Sequence, residues 1–146
     1  MFKYSTASIF LVIFAIAFGA CSTPATTPAT TGTNQVPPVT TISLSADIQP
    51  IFNASCVVCH QGNPAAGGMN LESGQAYGNI VNKKSSESAL MRVTPGSPEN
   101  SYLVRKLEGT HTQAGGSGDR MPPGSSLPAA QIELVRRWIS LGAPNN

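Results

Sequence analysis

The chain has 146 residues, with nine Lys and Arg against seven Asp and Glu, two His and three Cys. Charged residues make up only 11% of it, which leaves no broad basic surface of the kind that nucleic-acid binding needs. There are no paired carboxylates, no hydrolytic triad and no second cluster of metal-binding residue types, so the sequence carries no pattern of an enzyme.

Residues 1–20 begin with Lys3, continue through an apolar run over 9–18 and end on Gly19 and Ala20. A basic start, a brief apolar stretch and small residues describe an export signal peptide, and the run falls short of the ~20 residues of a membrane span. Phe18-Gly19-Ala20-Cys21 resembles a bacterial lipobox, which implies that Cys21 becomes a lipidated first residue. Acyl chains hold a protein to a membrane by about 0.8 kcal/mol per buried CH2. By the same resemblance, Ser22 rather than Asp after the Cys favours the outer over the inner membrane. Residues 21–40 are rich in Thr, Pro and Ala and carry no charge, and they read as an extended tether that cannot form a core. Residues 41–146 suffice for one small domain.

Within that domain Ser45 is expected to cap a first helix, with Asp47 in its first turn and Ile48, Ile51 and Phe52 as its apolar stripe. Pro50 fits only in the first turn or at a slight bend. This helix leads into Cys56-Val57-Val58-Cys59-His60. The spacing C-x-x-C-H is that of covalent haem attachment, in which two thiols add to the vinyl groups and the adjacent imidazole reaches the iron. A zinc site would need two further ligands, and His111 is the only other His. A redox dithiol would want a preceding strand, whereas the residues before Cys56 read as helix. With Cys21 assigned to lipid and Cys56 and Cys59 to haem, no Cys remains for a disulfide.

A second, short helix is expected from Glu72 or Ser73 to Val81, with Tyr77, Ile80 and Val81 inward and weakened by Gly74 and Gly78. A third starts at Pro98 with Ser97 as cap, burying Tyr102, Leu103, Val104 and Leu107 and leaving Arg105 and Lys106 in solvent. The last starts at Pro128, repeats Ile132, Val135, Trp138, Ile139 and Leu141 at the helical period, and ends at Gly142 before Pro144. Arg136 and Arg137 sit toward its favourable C-terminal end. No alternating strand run occurs, so the expected fold class is all-α with long loops.

The sixth iron position has four candidates, Met69, Met91, Met121 and His111. Met121 is favoured because Pro122 and Pro123 restrict the backbone behind it, and a thioether ligand raises the potential relative to a second imidazole. Met69 is expected near the haem edge, Met91 in the core at a helix end, and His111 in a solvent-facing loop.

Several segments together carry a family resemblance. They are Asp47-Ile48-Gln49-Pro50-Ile51-Phe52, the C-x-x-C-H motif, Gly67-Gly68-Met69-Asn70-Leu71, Pro95-Gly96-Ser97-Pro98 with Ser101-Tyr102-Leu103, Met121-Pro122-Pro123, and Trp138-Ile139-Ser140-Leu141-Gly142-Ala143. In these the chain resembles class I c-type cytochromes, in particular the small planctomycete-type cytochrome C domain. The resemblance spans nearly all of 41–146. It implies a small monohaem class I cytochrome c fold, one haem c per chain on Cys56 and Cys59, and His60 and Met121 as iron ligands. It also implies that the first and last helices cross beside the haem, with Trp138 in that contact.

The expected function is one-electron transfer by a carrier tethered on the periplasmic side of a bacterial membrane, with redox proteins as donor and acceptor. A monomer is expected, with no nucleic-acid partner. Two other classes remain open: a haem sensor or peroxidase-like protein with a labile distal ligand, and a structural haem module docked on a larger redox complex.

Overall fold

The computed structural model describes residues 41–146. The expected signal peptide over 1–20, Cys21 and the expected tether over 21–40 lie outside the described residues.

Helix α1 (Gln49–Ser55) is preceded by one wide π turn over Leu44–Ile48. The winding changes at Pro50, which has no N–H to donate. Ser43, not the expected Ser45, caps the helix. Its hydroxyl accepts from the Ala46 N–H at 3.2 Å, and the Asp47 carboxylate accepts from the Ser43 N–H at 2.7 Å. That is a capping box stretched by one residue to match the wide turn. Ile48, Ile51 and Phe52 are buried as their spacing predicts.

Helix α2 is only Ala76–Ile80, because Gly74 at φ +78 forms a turn where a longer helix was expected. Met91 lies in isolated bridges to Lys84 and Ser101 rather than at a helix end. Helix α3 (Tyr102–Glu108) does not start at Pro98. Pro98–Asn100 forms a single 3-10 turn, and the extended, buried Ser101 separates the two. The Ser101 hydroxyl donates to the Ser97 carbonyl at 2.9 Å and accepts from the Thr94 N–H at 2.9 Å, so this break is fully hydrogen-bonded. Lys106 is buried, contrary to expectation: its Nζ donates to the Ser117 carbonyl at 3.0 Å and lies 3.5 Å from the Glu87 carboxylate. Gly109 ends α3 at φ +76, and a Cβ there would meet the Arg120 side chain at 3.2 Å.

Helix α4 (Ala129–Ser140) follows Pro128 and buries Val135, Trp138 and Ile139 completely. Leu141 falls past its end and is 48% exposed, so it is not part of the apolar face. This helix packs on α3, on the 3-10 turn over Pro98–Asn100 and on the π turn before α1. Arg136 bonds Glu108 at 2.8 Å and also pairs with Glu99, joining three elements. The Trp138 Nε1 donates to the Pro144 carbonyl at 3.0 Å, and the Asn146 carbonyl accepts from the Ser45 N–H at 2.8 Å. The two ends of the domain are thereby fastened to each other. Pairing among the described residues is limited to isolated bridges, so the domain is small and mostly helical with no sheet, consistent with an all-α fold.

Candidate cofactor-binding site

The C-x-x-C-H residues sit where α1 runs out. The Phe52 carbonyl accepts from the Cys56 N–H at 2.8 Å and from Val57 at 2.9 Å. The Cys56 carbonyl then accepts from Cys59 at 3.1 Å and His60 at 3.0 Å. A single turn thus presents two thiols and an imidazole in succession, although it is a turn and not a continuation of the helix. Cys56 and Cys59 are both free thiols. Cys56 is half-buried against the core with Val57, and burial pushes its thiol up to about 11. Cys59 and Val58 face solvent, Val58 with 77% exposure.

The His60 Nδ1 lies 2.8 Å from the Ala66 carbonyl oxygen. A carbonyl can only accept, so Nδ1 carries the proton. In the neutral ring Nε2 then keeps its lone pair. The loop between them is stitched back onto the motif: Ala66 N–H donates to the Cys59 carbonyl at 3.2 Å, and Leu71 N–H to the His60 carbonyl at 2.8 Å. Arg92, which the sequence did not single out, holds the same loop. Its Nη2 donates to the Gly67 carbonyl at 2.8 Å, and its Nη1 to Gly68 at 3.2 Å and Asn79 at 2.8 Å.

The distal candidates sit on different elements, save that His111 and Met121 share the loop between α3 and α4. Met121 is half-buried on the loop between α3 and α4. Its N–H donates to the Lys106 carbonyl at 3.0 Å, while Arg120 Nε donates to the Leu107 carbonyl at 2.7 Å. Both residues are therefore tied to the end of α3. Among the described residues no hydrogen bond joins this loop to the 56–71 segment, so His60 and Met121 have separate supports. Met69 packs against the core, as Cys56 and Val57 do. His111 is not solvent-facing: it is 4% exposed, and its Nε2 donates to the Gly118 carbonyl at 2.8 Å. It is a support of the Met121 loop, and its buried Nδ1 has no partner among the described residues.

Among the described residues no group of three or more His, Cys, Asp or Glu converges as metal ligands do. A cavity of about 540 Å³ is lined by Gln49, Tyr77 and Asn146 among others, and by none of the motif residues. An open depression of about 610 Å³ beside Asp119, Arg120 and Gly124 borders the Met121 loop. The donor set fits a covalently held haem: two free thiols three residues apart, and an imidazole whose Nδ1 is turned to the Ala66 carbonyl, so that Nε2 is the nitrogen left to face a ligand.

No protein-family model, no curated protein and no solved structure matches the chain.

Proposed function

We propose that this chain is a one-electron carrier built on one covalently attached haem c, with the small monohaem class I cytochrome c fold over 41–146. The observation that carries the reading is the C-x-x-C-H turn with its His60 Nδ1–H bonded to Ala66, because this leaves Nε2 as an oriented donor beside two free thiols. Cys56 and Cys59 would hold the group through thioethers, and His60 and Met121 would ligate its iron. When bound, the haem supplies a one-electron ferric/ferrous couple.

The residues of the chain set how that couple is used. Ala66 orients His60, and Lys106 and Leu107 hold the Met121 loop through their carbonyls. With His60 and Met121 both as ligands the haem would supply electron transfer rather than substrate binding, which favours the carrier reading over a sensor, a peroxidase-like protein or another enzyme. Redox proteins are the partners. Lipidated Cys21 and the 21–40 tether confine the domain to the periplasmic side of a bacterial membrane.

A visible spectrum of the matured protein in both oxidation states tests this. The reading predicts low-spin haem with the far-red ferric band of thioether ligation. A high-spin ferric spectrum contradicts the Met121 assignment.

A further inference from the structure

The loop that orients His60 is held by polar contacts alone: Ala66 N–H donates to the Cys59 carbonyl at 3.2 Å, Gly68 N–H to the Ala65 carbonyl at 2.9 Å, and Gly62 N–H to the Glu72 carboxylate at 3.1 Å. Residues 61–64 and 66–68 are exposed, so no apolar burial fixes them. Gly67 and Gly68 both stand at φ +61, where glycine alone is at ease and where the backbone has most freedom to lose. Yet the Ala66 carbonyl, immediately before them, must stay aligned with the His60 Nδ1.

Arg92 comes to this loop from the opposite side on a fixed base. Its own N–H donates to the Lys83 carbonyl at 2.7 Å, and its carbonyl accepts from Leu103 at 2.9 Å. Val93 beside it is fully buried and bridged to Val81. From there one planar guanidinium reaches three carbonyls, on Gly67, Gly68 and Asn79. Among the described residues no carboxylate pairs with it. The positive charge is met only by carbonyl dipoles, in a half-buried place that pulls its pKa below the usual value.

We infer that Arg92 is a positioning residue for the proximal ligand: by clamping Gly67 and Gly68 it fixes the Ala66 carbonyl, and through it the orientation of the His60 imidazole. The inference rests on His60 being the proximal haem ligand. Lysine is no substitute, since a point charge on a flexible stem does not reproduce a planar fork across three acceptors.

The test uses the matured holoprotein and Arg92→Lys, which keeps the charge. Solvent exchange of the His60 Nδ1 proton is read by NMR in the ferrous state, and the reduction potential by titration. With the clamp loosened, exchange accelerates about tenfold or more, and the potential rises as the imidazole becomes a poorer donor to ferric iron. Unchanged exchange overturns the inference, whatever the potential does, because a charge effect alone would leave the Nδ1 proton protected. Should Arg92→Lys fail to fold, two further measurements decide. Couplings across the hydrogen bonds from the Arg92 guanidinium to the Gly67 and Gly68 carbonyls must be present in the unaltered protein. Gly68→Ala, strained at φ +61 in an exposed loop, must accelerate the same His60 exchange. Absence of either overturns the inference. A matured protein with no attached haem, or with haem not ligated by His60, instead refutes the proposed function itself.

Discussion

His60 and Ala66 are joined by a 2.8 Å hydrogen bond from imidazole Nδ1 to a backbone carbonyl. A contact six positions along the chain thereby holds the His60 ring and commits its Nδ1, leaving Nε2 as the nitrogen available to the proposed haem iron. The thiols of Cys56 and Cys59 stand on the turn that starts the same loop, so the proposed attachment and ligation would be organised by one local unit.

Met121→Ala removes the proposed distal thioether while leaving Cys56, Cys59 and His60 untouched. The ferric far-red band should vanish, added imidazole should bind the iron, and the potential should fall, since thioether ligation favours the ferrous state. Spectra with and without imidazole check this. A surviving band reassigns the distal role to Met69.

Trp138→Ala removes a fully buried ring from the packing of α4 against α3 and the π turn. It should cost about 3–5 kcal/mol of stability, read from urea unfolding. Leu141→Ala, just past the end of the same helix and 48% exposed, should cost under about 0.5 kcal/mol.

Alkaline stability should depend on Tyr102. Burial first, and then its 2.7 Å hydrogen bond to Glu87, hold the Tyr102 phenol well above its usual pKa. A raised folded pKa means that the unfolded chain loses the proton first. This contribution is therefore complete below about pH 10 and is lost as pH rises beyond it. Unfolding midpoints at neutral and strongly alkaline pH should diverge less in Tyr102→Phe than in the unaltered protein.

The same pair acts in the other direction on the acid side. The Tyr102 hydroxyl is the main cause holding the Glu87 carboxyl below its usual range; burial opposes it, and Lys106 adds a smaller lowering. Its contribution is present above about pH 4.3 and is lost as pH falls through the lowered folded value. Glu87→Gln should flatten the acid limb of the stability profile, measured by urea midpoints between neutral and acid pH.

In protein produced without haem, Cys56 and Cys59 should differ in reactivity. Burial keeps Cys56 protonated up to about pH 11, while Cys59 is exposed. Iodoacetamide should label Cys59 first, and Cys56 labelling should keep rising with pH toward 11. Peptide mapping over a pH series reads both rates.

What the sequence made legible was local. Cys56, Cys59 and His60 lie within five consecutive positions, so their chemistry needs no tertiary knowledge. Helix α4 was legible because Pro128, a 3.6-residue apolar period and Gly142 all agree. Ser43 and Ser45 both precede Asp47, and only the π turn selects Ser43. Lys106 and His111 look like surface residues until Ser117 and Gly118 fold back to offer them carbonyls. Arg92 was invisible for a plainer reason: its acceptors on Gly67 and Gly68 are backbone atoms 25 and 24 residues away, and no side-chain pattern announces them.

The central claim is that Cys56 and Cys59 carry a haem. Mass-spectrometric peptide mapping of the chain matured in a bacterium with an intact haem-attachment system tests it most directly. The peptide containing Cys56-Val57-Val58-Cys59-His60 should carry one haem through both sulfurs, and it should resist alkylation at both. A peptide with two free, fully alkylatable thiols and no added haem would contradict the account.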